Sequence, residues 1–191
     1  MDTLLAIAGD GFVVVAADAQ VARSILLYQR DLDKIKPLDA TKLLASAGPQ
    51  ADCVAFTEYI QKNMALYELN NDLTLTTNAA AHFIRGELAY ALRRGPYQTS
   101  LLLGGIDGDS ASLYWMDYLG TLQKVDYGAH GYGSNFTLSV IDRDYKKGLS
   151  EEDAVGIVRK CIHELQTRFL ISQTNFTIKV LNKKDGVKVL E

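Results

Sequence analysis

The chain reads as an α+β protein with antiparallel sheets and helices in pairs. Three observations predict this. The elements run strands, two helices, strands, two helices, strands, whereas a doubly wound parallel sheet alternates single strands with helices. Near the start, a Gly9-Asp10-Gly11 turn joins two apolar runs in the manner of a hairpin. The second run, Phe12–Ala17, is apolar throughout rather than alternating, so both its faces should be covered.

Strands are expected at Leu4–Ile7, Phe12–Ala17, Ser24–Gln29, Lys34–Leu38 and Lys42–Ala47, the last running into Gly48-Pro49. The period then becomes helical. Cys53, Phe56, Ile60, Met64 and Tyr67 recur at three and four between Asp52 and Leu69, and Asn70-Asn71-Asp72 stops that helix. A second helix spans about Thr77–Arg93, capped by Thr76 or Thr77 and ended by Gly95-Pro96. Strands return at Ser100–Ile106, Ser112–Asp117 and Leu122–Asp126. A third helix opens after Gly133 and ends near Arg143. Ser150-Glu151-Glu152-Asp153 resembles a capping box and starts a fourth. Ala154, Ile157, Val158, Cys161, Ile162 and Leu165 form its buried stripe. Asn175–Leu181 and Val187–Leu190 close the chain as strands.

At 191 residues this is one domain, large enough to bury roughly 70% of its unfolded surface without a staple. Hydrophobic content of 48% and charge of 23% are ordinary for a globular protein, and a net charge of −3 offers no field for nucleic acid or an anionic membrane. No apolar run approaches a membrane span, and the start has no signal-peptide pattern. Cys53 and Cys161 fall in helical apolar patterns and read as buried thiols in a reducing compartment. His82, His130 and His163 are too scattered for a metal site, and His130, flanked by glycines, is expected to hydrogen-bond its own loop. Gly131-Tyr132-Gly133 is no phosphate cradle, since no Gly-Lys-Ser/Thr follows it. Neither cofactor nor metal is expected.

An N-terminal threonine hydrolase needs a hydroxyl nucleophile, a lysine paired with an aspartate to tune the proton transfer, and a backbone N–H for the oxyanion. The Ala16-Ala17-Asp18 strand end, Lys34, Ala47-Gly48, Gly131-Tyr132-Gly133-Ser134, Ile141-Asp142-Arg143 and the Ser150 helix resemble the proteasome beta subunits over nearly the whole chain. The resemblance implies a four-layer α/β/β/α sandwich of the N-terminal nucleophile hydrolase type, two antiparallel sheets between helix pairs. It implies that Asp18 and Lys34 match the catalytic aspartate and lysine, Gly48 the oxyanion glycine, and Ser172 a supporting residue of the late loop.

Other positions depart from the family pattern. Catalytic members carry threonine sixteen positions before the strand-end aspartate, and that position is Asp2 here. Thr3 is one residue out of register, and a one-residue slip turns a strand side chain to the opposite face. Tyr132 stands where a serine is expected between the two glycines, and Phe169 where a supporting aspartate is expected. Loss of the nucleophile removes the covalent step, and each supporting loss lowers the rate further. Asp18 and Lys34 are then a residual structural ion pair, or plain strand-end charges. No propeptide is expected before Met1.

The runs Glu58–Asn63, Ala65-Leu66-Tyr67, Arg94–Tyr97, Tyr114–Leu119 and Gly128–Gly133 resemble a non-catalytic branch of the family. Function would then be assembly: the resemblance implies an obligate hetero-oligomer whose partners are other beta subunits of the same and opposite ring and alpha subunits, in cytoplasm and nucleus. Tyr114, Trp115 and Tyr118 are interface candidates, because aromatic side chains favour interface cores. Their alternative is packing inside the subunit. Two other readings stand beside the structural one: an active N-terminal threonine hydrolase after processing to Thr3, and a standalone binding module.

Overall fold

A computed structural model describes residues 2–190. Its strands are β1 (Leu4–Gly9), β2 (Phe12–Asp18), β3 (Val21–Arg23), β4 (Leu26–Gln29), β5 (Ile35–Asp39), β6 (Lys42–Ala47), β7 (Ser100–Asp107), β8 (Ser110–Met116), β9 (Leu122–Val125), β10 (Tyr127–His130), β11 (Phe176–Asn182) and β12 (Gly186–Leu190). Its helices are α1 (Gln50–Asn71), α2 (Thr77–Ala91), α3 (Ser134–Asp144) and α4 (Glu151–Arg168). One antiparallel sheet has the order β10-β1-β2-β11-β12, the other β5-β6-β7-β8-β9, and β3-β4 is a separate hairpin.

The layers follow from period two in the strands. In β2, Phe12, Val14 and Ala16 pack with Val140 and Ile141 of α3 and with Ala154, Ile157, Val158 and Cys161 of α4. The alternate residues Val13, Val15 and Ala17 pack with Leu43, Ala45, Leu102 and Leu113 of the second sheet. That sheet's far face, with Leu44, Leu101, Leu103 and Tyr114, takes Phe56, Ile60 and Met64 of α1 and Ala80, Ala81, Ile84 and Leu88 of α2. The result is α3/α4, sheet, sheet, α1/α2, with every residue of β2 buried. A fully covered central strand is why this segment shows no polar alternation.

The helix starts agree with the capping chemistry. Thr76 Oγ1 accepts from Ala79 N at 3.2 Å. Ser150 Oγ accepts from Asp153 N at 3.2 Å and donates to the Asp153 carboxylate at 2.8 Å, so the acid meets the cap hydroxyl. Asp72 ends α1 in the left-handed conformation, φ 53°. Cys53 and Cys161 are buried free thiols.

Three expectations change. The strand expected over Ser24–Gln29 is half of a hairpin, because the chain turns at Ser24-Ile25 with Ser24 at φ 56° and no glycine to announce it. Tyr127–His130 reads as a glycine-containing loop but is an edge strand, its register fixed by β1 (Leu4↔His130, Leu5↔Ala129). Tyr67 is exposed, since α1 runs past the sheet that covers its earlier turns.

The interface candidates divide. Tyr114 is buried under α2, where its hydroxyl donates to Asn78 Oδ1 at 3.1 Å. Trp115 stacks on His130 with centroids 4.6 Å apart and donates Nε1–H to the Ala129 carbonyl at 3.1 Å. Tyr114 is therefore used within the subunit, while Trp115 is half-buried with its ring against the inter-sheet core. Tyr118 lies just beyond β8 and is exposed.

His130 does not bond its own loop. Its Nε2–H donates across to the Leu101 carbonyl of β7 at 3.0 Å, so with Trp115 it stitches the two sheets together. Burial pushes its imidazole from 6.5 down to about 4. The unfolded chain therefore binds a proton that the folded chain refuses between those values. Stability from this site is complete above about pH 6.5 and is lost as pH falls toward 4, by on the order of 3 kcal/mol. Denaturant unfolding across pH 4–7 should show that slope in the wild type, and His130→Phe should flatten it.

Candidate functional site

The site lies where the starts of β1 and β5 and the ends of β2 and β6 converge. Lys34 is at its centre, 5% exposed, at the entry to β5. Its ammonium donates to Asp2 Oδ1 at 2.6 Å, Asp18 Oδ2 at 2.8 Å and the Gln20 carbonyl at 2.7 Å. A lysine ammonium has three donors, and all three are engaged. The second Asp2 oxygen accepts from the Gly48 N–H at 2.9 Å. One carboxylate therefore joins the lysine to the backbone amide at the end of β6.

Asp18 is 1% exposed. Its Oδ1 accepts from Thr3 N at 2.7 Å, and its Oδ2 accepts from Lys34 and, at 3.4 Å, from Gln20 N. Burial pushes its carboxyl above the usual carboxylate range, against the pull of Lys34. The loop that presents Lys34 is itself fixed. Asp33 Oδ1 accepts from Ile35 N at 3.0 Å and Oδ2 from Lys179 Nζ at 2.6 Å, while Lys179 also donates to the Ile35 carbonyl.

Thr3 follows the register argument. Its side chain is fully buried and points away from Lys34, and its hydroxyl donates to Gln173 Oε1 at 2.8 Å. The glycine loop closes over this end of the chain. Gly131 has φ +82°, and a Cβ there would lie 1.8 Å from the Asp2 carbonyl oxygen. A Cβ at Gly133 would lie 2.4 Å from Thr3 Oγ1. The spacing Gly-x-Gly thus lets the loop pack directly on Asp2 and Thr3.

The remaining positions stand apart from the site's centre. Tyr132, between those glycines, is 64% exposed at the rim of the adjoining cleft. The Phe169 ring packs against Phe136 of α3 with centroids 5.6 Å apart. Neither side chain fills the space around Lys34. Ser172 is exposed in the late loop, and its neighbour Gln173 turns inward to Thr3 instead. Sequence reasoning missed Gln173, Gln20 and the Asp33–Lys179 brace, because each acts through contacts far along the chain. For Asp2 a signal was available, since an acid sixteen positions before Asp18 was expected near Lys34 and Gly48 from the resemblance, and its carboxylate bonds both. Among the described residues, no group of His, Cys, Asp or Glu is placed to hold a metal ion.

Lys34→Met would strand two carboxylates, and breaking a buried pair from one side costs about 3–5 kcal/mol. Without the cation Asp18 should rise further, so its folded form holds a proton that the unfolded form has released. The variant's deficit should be largest at neutral pH and shrink as pH falls through that raised value. Urea midpoints at several pH values check both the size and the sign.

Comparison with known proteins agrees with this geometry. A family model described as proteasome subunit matches residues 1–181. The chain is 49% identical to the proteasome subunit beta type-2-A of Arabidopsis thaliana, over 98% of this chain and 92% of that protein. It is 47% identical to the proteasome subunit beta type-2 of Dictyostelium discoideum, over 100% of this chain and 97% of that one. It is 35% identical to the proteasome subunit beta type-4 of Saccharomyces cerevisiae, over 100% of this chain and 98% of that one. With its two five-stranded antiparallel sheets between helix pairs, the chain belongs to the proteasome subunit family, on its beta side.

Proposed function

We propose that this chain is a non-catalytic structural beta subunit of the 20S core particle, serving ring assembly and the wall of the proteolytic chamber in protein degradation. The observation that carries the reading is Asp2. It stands at the nucleophile position with its two oxygens on Lys34 Nζ and Gly48 N–H, the groups that would tune a nucleophile and hold an oxyanion. A carboxylate held this way is a poor nucleophile for acyl transfer, and every Lys34 donor is taken. Thr3 offers no substitute, since its hydroxyl is buried against Gln173.

Assembly is supported by the surface. The β3–β4 hairpin carries Ile25 at 95% exposure, with Leu26, Leu27 and Tyr28 exposed beside it. The outer side of α1 and its end add Val54, Tyr59, Leu66, Leu69 and Leu73. Apolar surface on this scale marks contact sites more often than it marks free monomers. Alpha subunits and beta subunits of the same and opposite ring are the proposed partners, in an obligate hetero-oligomer of the cytoplasm and nucleus. Exposed Tyr118 remains a candidate contact.

Intact mass and treatment with a threonine-directed electrophile test the non-catalytic reading. No adduct is expected on this chain within the native particle, and an adduct at Thr3 would overturn it. Ile25→Asp combined with Leu26→Asp should lower incorporation into the particle at least tenfold while leaving the melting temperature of the free chain within about 2 °C. Equal incorporation of the double variant would remove the hairpin from the assembly argument.

A further inference from the structure

The groups that hold the Asp2 carboxylate are held in turn by other contacts. Lys34 keeps two acceptors that do not involve Asp2, namely Asp18 Oδ2 and the Gln20 carbonyl. Asp18 is fixed by Thr3 N, and the Lys34 loop by Asp33 and Lys179. Gly48 directly follows β6, which is paired along its length with β7. Taking away the Asp2 carboxylate would thus leave one Lys34 N–H and the Gly48 N–H in place and unpaired, beside a hole of carboxylate size. That hole would open into a cleft of about 810 Å³ lined by Tyr28, Gly48, Gln98 and Tyr132.

We infer that Lys34 Nζ and Gly48 N–H form a preorganised carboxylate-binding site that the chain fills in cis with its own second residue. Asp2 acts as a tethered ligand. Its effective concentration is set by the chain, in the range that short tethers give, so free carboxylates arriving through the cleft are excluded. Donors oriented before the ligand arrives give a charge-assisted pair at little ordering cost. The inference deepens the non-catalytic reading by naming what occupies the site, and it rests on that reading only for the position of Asp2.

Chemical rescue tests it in the full chain. Asp2→Ala keeps Cβ and lacks a carboxylate, which is the shape of formate. Asp2→Gly also lacks Cβ, which is the shape of acetate. Retention of Met1 is verified by intact mass, because a new terminal amine at position 2 would itself attract anions. Each variant should melt about 5–10 °C below wild type in chloride. Formate at tens of millimolar should restore at least half of that loss in Asp2→Ala, saturably and better than acetate. Acetate should do so in Asp2→Gly. The Gly48 amide resonance should move with the same midpoint. Wild type and Asp2→Asn, whose sites are full, should show no response beyond chloride at equal ionic strength.

A variant that needs the anion in order to refold supports the inference as well. The inference is overturned if neither variant responds specifically, if wild type or Asp2→Asn responds equally, or if both variants fail to refold in every anion. Labelling at Thr3 in the native particle would overturn the non-catalytic reading, whereas the rescue is read on chain shown by mass to retain Met1 and depends only on Lys34 and Gly48, so the two failures are distinguishable.

Discussion

The ammonium of Lys34 organises the site, and the start of the chain depends on it. It collects Asp2 from before β1, and Asp18 and the Gln20 carbonyl from the end of β2 and just beyond it. Asp2 then reaches on to Gly48, and Asp18 to the backbone of Thr3. Two carboxylates around one buried cation would be costly without those amides. Backbone N–H groups supply the remaining hydrogen bonds, as buried charge requires. The arrangement closes the hydrogen-bonding capacity of the lysine, and a lysine with no spare donor is suited to holding a structure together.

The sandwich makes this convergence possible. β1 and β2 lie side by side with Leu4 opposite Ala17, which puts Asp2 and Thr3 beside Asp18. β10 pairs with the other edge of β1 and delivers Gly131 and Gly133 onto the same two residues. β5 and β6 of the second sheet bring Lys34 and Gly48 from across the inter-sheet core. The sandwich thus brings a buried lysine, two carboxylates and a backbone amide from both sheets to one point, and Asp2 is the residue that bonds both the lysine and the amide.

Much of this was legible in the sequence. The α1, α2, α3 and α4 periods, the Ser150 cap and the apolar β2 run carry strong local signals, and the structure places elements there. The one-residue slip of Thr3 was legible because strand side chains alternate by necessity. The β3–β4 turn was not, because Ser24 takes a left-handed conformation without a turn residue to mark it. β10 was hidden by its glycine, and its strand character comes from the β1 edge rather than from its own residues. Tyr114 and Trp115 looked available for an interface only because composition says nothing about which strand face is covered.

Local period and turn chemistry in the sequence carry the order of strands and paired helices. Its resemblance to the proteasome beta subunits carries the family and the four-layer expectation, because layer order depends on which faces meet and no local pattern states that. Three-dimensional packing alone shows that Asp2 bonds Lys34, that Gln173 takes the Thr3 hydroxyl and that Asp33 and Lys179 brace the lysine loop. Those bonds join residues separated by 32 to 170 positions. No local pattern encodes such partners; they meet because two sheets must bury their faces against each other.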